Sequence, residues 1–144
     1  MTASRTDETL LGLLRDRGRG VLATLGAAGA PHLSTVDYTF DPAAGLLRVS
    51  TRDGLAKVRN VRRDARAGLH VGTADLDAWA AAEGRAELSA VAADPHDAAA
   101  QELVEVYRLV RGEHPDWDDY RAAMVADRRL VLRLHVTRVY GWHP

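Results

Sequence analysis

The sequence predicts a mainly β chain with flanking helices (an α+β class), closed as a small six-stranded antiparallel barrel. Three observations carry this expectation. Strand-like and helix-like segments follow in the order β β β α β β α α β, whereas a doubly wound parallel sheet needs strict alternation. The connections are mostly short, which favours antiparallel neighbours with helices at the ends of the sheet. The chain has 144 residues and is 47% hydrophobic, enough for one domain spanning 1–144 with a real core.

Thr6 to Arg17 places Leu10, Leu13 and Leu14 on one face and Asp7 and Glu8 in a first turn, the pattern of a short amphipathic helix. Gly20–Leu25 reads as a buried strand ending in the Gly26–Gly29 turn. Pro31–Phe40 is a second strand, with His32, Ser34, Val36 and Tyr38 on one face and Leu33, Thr35, Asp37 and Thr39 on the other. Asp41–Gly45 is a hairpin connection into a third strand, Leu46–Thr51, and these three strands suggest an antiparallel meander. Asp53–Arg63 is a helix with Leu55, Val58 and Val61 inward, capped from the Thr51–Asp53 region. Strand four is Ala67–Thr73, and strand five runs from Trp79 to about Val91 with Gly84 as a bulge or bend. Asp94, Pro95 and Asp97 start a helix that continues to Arg111 on Ala99, Leu103, Val106 and Val110. A further helix, Asp116–Ala126, presents Trp117, Tyr120 and Met124, and its Trp117-Asp118-Asp119-Tyr120 run reads as an interfacial or solvated face. Leu130–Trp142 is the last strand.

Composition excludes several chemistries. The formal charge is -1 and the pI about 6.6, so no net field draws the chain to nucleic acid or an anionic membrane. There are no cysteines, which removes disulfides, thiolate metal sites and a thiol nucleophile. The six His never take a paired metal spacing, so no metal is expected. No apolar run approaches the roughly 20 residues of a membrane span, and a cytoplasmic protein is expected. Gly18-Arg19-Gly20 precedes a strand, so it is no dinucleotide fingerprint; a P-loop and a GxSxG elbow are both missing.

One compositional fact is sharper. Of 19 basic residues, 18 are Arg, and the one Lys is Lys57. An ammonium is a compact point charge and a guanidinium a flat fork, so the two differ at a tight anion site. Lys57 sits about one turn into a helix that follows Ser50 and Thr51 at the end of a strand. Helix N-termini attract phosphate because their amides are unpaired and the macrodipole favours an anion. Lys57 and Asn60 share a helix face. The hydroxyl pair alone would equally fit an ordinary capped helix; the lone Lys turns the balance towards a phosphate site. The mixed polar face of His32, Ser34, Val36 and Tyr38, on a strand expected to pair with the Ser50–Thr51 strand, suits a bound planar ring better than a core, with a solvent-facing strand side as the alternative. Small residues around Trp79, from Ala78 to Ala82, permit close approach of a partner chain or a flat ligand, or simple tight packing.

Gly20-Val21-Leu22-Ala23-Thr24, Pro31-His32-Leu33-Ser34, Arg48-Val49-Ser50-Thr51, Lys57-Val58-Arg59-Asn60-Val61-Arg62-Arg63-Asp64 and Val139-Tyr140-Gly141-Trp142 together resemble the pyridoxamine 5′-phosphate oxidase-like flavin and deazaflavin proteins. The likeness covers about residues 8–142. Within that family the chain is most similar to the actinobacterial branch of small oxidoreductases that use the deazaflavin coenzyme F-420. The resemblance implies an FMN-binding type of split β-barrel that forms a homodimer with cofactor sites at the interface. It implies that Ser50, Thr51, Lys57 and Asn60 hold the cofactor phosphate and linker, and that His32, Ser34, Thr35 and Val36 border the ring. Trp79, Arg128 and Arg129 would approach from the partner chain. Many relatives carry a basic residue two before the helix Lys, where this chain has Leu55, which implies a weaker phosphate grip. The implied activity is hydride transfer from reduced coenzyme F-420 to an unsaturated or conjugated small-molecule substrate, with no catalytic side chain assigned. The alternatives are an FMN-dependent pyridoxamine 5′-phosphate oxidase-like enzyme and a non-catalytic flavin or deazaflavin carrier. The Arg52, Arg59, Arg62 and Arg63 cluster is a candidate for the acidic tail of F-420.

Overall fold

A computed structural model describes residues 5–144, with side chains from Glu8 onward; the Asp7 side chain lies outside the described residues. Helix α1 (Arg5–Arg17) leads into strands β1 (Arg19–Leu25), β2 (Pro31–Asp37), β3 (Thr39–Asp41) and β4 (Leu46–Arg52). Helix α2 (Ala56–Arg63) follows, then β5 (Arg66–Gly72), β6 (Trp79–Leu88), α3 (Ala98–Arg111), α4 (Trp117–Ala126) and β7 (Arg129–Trp142). All strand pairs are antiparallel, in one seven-stranded sheet of order β2-β1-β5-β6-β7-β4-β3.

The expected second strand is broken at Tyr38, which makes seven strands instead of six. Its first part pairs with β1 and its second with β4, so consecutive residues occupy the two opposite ends of the strand order. The sheet must therefore curl until its edges nearly meet, leaving a split between β2 and β4. Tyr38 fixes the break: its amide donates to the Gly18 carbonyl, and its phenol donates to the Leu14 carbonyl inside the core. Burial pushes that phenol up to about 12. The anticipated meander is thereby corrected: β4 pairs with β3 and β7, and the strand carrying His32 and Ser34 does not pair with it.

The barrel interior is filled from every wall. Leu22, Leu47, Val49, Leu69, Leu132 and Leu134 are almost wholly buried there, and Leu10 and Leu14 of α1 complete the cluster. A second core lies outside the barrel, where Leu103, Val106, Tyr120 and Met124 of α3 and α4 close over Val131 of β7. The α4 face read as interfacial or solvated is thus partly core.

Strand β6 ends at Leu88, earlier than the anticipated Val91. At Glu83/Gly84 its register against β7 shifts: Glu83 faces Arg138 and Gly84 faces Val136, so Thr137 is the extra residue of a bulge. Gly84 is required there, because a Cβ would stand 1.9 Å from the His135 carbonyl oxygen. Helix α3 is capped by Asp97, whose carboxylate accepts from the Ala100 amide at 2.8 Å. Helix α2 begins at Ala56, three residues later than anticipated, behind an extended Leu55 with no side-chain cap. No helix of the described residues is long and apolar enough to cross a membrane.

Candidate functional site

The split between β2 and β4 opens into a cavity of about 490 Å³. Strands supply Thr35, Val36, Asp37, Ser50, Thr51, Arg52 and Arg129, and the start of α2 supplies Leu55 and Lys57. The sequence alternation explains why β4 serves both sides. Val49 and Thr51 point into the barrel, while Ser50 and Arg52 point outward. Antiparallel pairing of Arg52 with Arg129 and of Ser50 with Val131 brings the Arg129 guanidinium over Ser50, whose hydroxyl accepts at 3.4 Å.

What distinguishes this cavity is the state of its cations. Among the described residues most guanidinium groups are taken: Arg62 and Arg128 share Asp53 at 2.8 and 2.9 Å, and Arg133 is paired with Glu102. Among the described residues Lys57 and Arg52 make no ion pair or hydrogen bond, and the Ser50 hydroxyl is the only hydrogen-bond acceptor of Arg129. Burial, reinforced by the nearby Arg129 charge, holds the Lys57 ammonium below the usual lysine range. Two polar atoms at this wall, Thr51 Oγ1 and Arg129 Nε, are buried with no partner. An unmade buried hydrogen bond costs about 1–3 kcal/mol, so such atoms call for a ligand. The uncapped amides at the start of α2 point the same way.

Other anticipated residues go elsewhere. Asn60 is buried with its amide donating to Thr24 Oγ1 at 3.1 Å and its carbonyl accepting from Arg63 at 2.9 Å. It ties α2 to β1 and does not line the cavity. His32 and Ser34 lie upstream on β2, half-buried, with His32 Nδ1 and Ser34 Oγ both buried and unpartnered. Arg128 is an exposed partner of Asp53, and Arg129 serves the cavity of its own chain. Within the proposed tail cluster, Arg59 donates to the Gly54 carbonyl, Arg62 pairs with Asp53 and Arg63 donates to the Leu25 carbonyl, which leaves Arg52 free.

Trp79 lies on the outer surface of the sheet, stacked on His70 at 5.4 Å and met edge-on by Tyr140 at 6.0 Å. Around it runs a groove of about 880 Å³ floored by Val21, Ala23, Gly68 and Ala81, with Leu33 63% exposed.

The other wall of the cavity escaped the sequence. Helices α3 and α4 contribute Val106, Tyr107, Val110, Arg111, Tyr120 and Met124. Arg111 and Arg19 both hold Asp37, at 2.9 and 2.7 Å, and depress its carboxyl, Arg19 most. The Val106–Val110 stripe and the Tyr120 and Met124 face were legible, but nothing local said what they faced.

Comparison with known proteins agrees with this architecture. The pyridoxamine 5′-phosphate oxidase family model matches residues 6–143. A biliverdin reductase of Mycobacterium tuberculosis dependent on reduced coenzyme F-420 is 32% identical over 140 residues, covering 97% of this chain and 90% of that protein. A conserved hypothetical protein from Mycobacterium tuberculosis superposes with TM-score 0.73 at 22% identity, over 99% of this chain and 86% of its own. An F-420 reductase gives TM-score 0.67 at 21% identity, over 96% and 98%. With its split barrel and a match along nearly its whole length, the chain belongs to the pyridoxamine 5′-phosphate oxidase family.

Proposed function

We propose that the protein is a homodimeric oxidoreductase that uses reduced coenzyme F-420 to reduce an unsaturated, conjugated organic substrate. The observation that carries the reading is the cavity's set of unpaired donors: Lys57, Arg52, Thr51 Oγ1 and Arg129 Nε. They suit a phosphate group, which both F-420 and FMN carry. The 32% identical relative acts on biliverdin, a conjugated tetrapyrrole, and supports the choice of cofactor and substrate class.

Lys57, Arg129, Ser50 and Thr51 would hold the phosphate, and Arg52 is placed for an acidic extension beyond it. Strand β2 ends the sheet order, so one of its backbone edges is free for the polar rim of a ring beside Thr35 and Val36. When bound, the deazaflavin supplies a hydride at C5, and the protein supplies orientation and exclusion of water. The outer groove around Trp79 is the surface for the second copy.

An FMN-dependent oxidase is the second reading, favoured by the family match alone. Titration decides between them. Colourless protein that quenches F-420 fluorescence and then turns over reduced F-420 with conjugated enones supports the first reading. Yellow protein carrying FMN, with no F-420 binding, supports the second. Binding of F-420 without turnover of any acceptor would reduce the protein to a carrier.

A further inference from the structure

We infer that Tyr107 of α3 is a ligand contact that selects the flat-ring portion of whatever the cavity binds. Tyr107 lines the cavity, and among the described residues its hydroxyl has no hydrogen-bond partner. The neighbouring Tyr120 is different, because its hydroxyl is already committed to the Leu103 carbonyl at 3.0 Å. The two phenols share a wall, and one of them is left free.

The aromatic surroundings fix where that free hydroxyl points. The Tyr107 ring is held by His114 at 5.2 Å, Trp117 at 5.6 Å and Tyr120 at 4.9 Å, all at steep interplanar angles. Trp117 is itself anchored: its indole N–H donates to Glu113 at 3.0 Å, and the Arg108 guanidinium sits 4.8 Å above its ring. A ring packed on several sides has little rotamer freedom left to lose, so a hydrogen bond from it costs little entropy.

The chemistry of the wall identifies the part of the ligand it meets. Val106, Val110, Tyr120 and Met124 surround Tyr107 with apolar and aromatic surface, whereas the free cations and hydroxyls lie on β4, α2 and the start of β7. An anionic group belongs with the second set. A planar conjugated ring bearing a carbonyl or ring-nitrogen acceptor belongs with the first, where Tyr107 donates to that acceptor. The inference rests on reading this cavity as the cofactor site, and it adds a contact from the helical roof.

Tyr107→Phe removes one oxygen and keeps the ring, so the aromatic cluster and the melting temperature stay as they are. Binding is measured by fluorescence for F-420 and for its 8-hydroxy-5-deazariboflavin core, which lacks the phosphate and the tail. Tyr107→Phe should weaken both by the same factor, about three- to tenfold, the scale of one hydrogen bond between neutral groups. Lys57→Ala should weaken F-420 alone. Unchanged affinities for Tyr107→Phe beside a loss for Lys57→Ala overturn the Tyr107 contact and leave the cofactor site standing. A Tyr107→Phe loss confined to F-420 also overturns it, by placing the phenol on the phosphate. If neither variant changes F-420 binding, the cavity itself has been misread.

Discussion

Lys57 is poorly placed for stability, and that is informative. Its ammonium is half-buried beside Arg129 with no counter-ion among the described residues, and burial first, then the Arg129 charge, lower its pKa from the usual lysine value of 10.5. Between that lowered value and 10.5 the unfolded chain binds more protons, so stability rises with pH across this window. Below it the burial cost is constant. Lys57→Met should therefore raise the melting temperature of the ligand-free protein at neutral pH, by about 1–3 °C once solvent screening is allowed for. It should also weaken F-420 binding by about 1.5–3 kcal/mol, the scale of a hydrogen bond to a charged group. Calorimetry and titration on the same preparation test both halves; a Lys57→Met protein that melts lower and binds unchanged contradicts the role. Asn60 should behave in the opposite way. Asn60→Ala strands the buried Thr24 hydroxyl and the Arg63 contact, so a loss of about 1–3 kcal/mol in urea unfolding is expected with F-420 affinity unaltered. The sequence could show that Lys57 was unusual, because composition alone isolates it. It could not separate Lys57 from Asn60 on one short helix, since which face meets β1 is decided by the curl of the sheet.

Elements were legible wherever local period decides them. The helices, the strand segments and the bulge near Gly84 all follow from spacing and turn chemistry. Pairing was less legible, because it depends on residues far apart in the chain. Pro31–Phe40 has a continuous two-residue period, and nothing local marks Tyr38 as the place where the strand changes partners; the Leu14 and Gly18 carbonyls that hold it come from another element. Strand β4 keeps only the three-residue β3 as its hairpin partner, and its other edge takes β7 in a seven-residue register from Arg129 to His135. The Gly84 bulge carries a prediction at this scale. A methyl group at residue 84 collides with the His135 backbone, which no side-chain rotation relieves. Gly84→Ala should cost about 2–4 kcal/mol in urea unfolding. A change below about 0.5 kcal/mol would mean that the bulge can migrate along β7.

At the scale of the whole molecule, the outer sheet surface is the unfinished part. Its rows run Ala23, Gly68, Glu83 and Arg138, then Val21, His70, Ala81 and Tyr140, and they are mostly small or apolar. Leu33, Tyr140 and Trp142 stand 63%, 38% and 52% exposed along the rim. Such a face suits the second copy of the proposed dimer, and two-fold symmetry would let one patch serve both copies. A polar ladder of equal area would have been content with water. The residues that the family likeness assigns to a partner-built site also divide here, since Trp79 belongs to this surface and Arg129 to the cavity of its own chain. Sedimentation should give about twice 15.7 kDa at micromolar concentration. Leu33→Glu alters a side chain that is already exposed and should leave the fold intact, yet it puts a charge at the rim of the patch that a dimer would bury. Monomers are expected from it, and if Trp79 of one copy walls the site of the other, as the family likeness implies, they bind F-420 more weakly. Monomers that keep full affinity would assign the site to a single chain, and a wild-type species of 15.7 kDa would remove the dimer altogether.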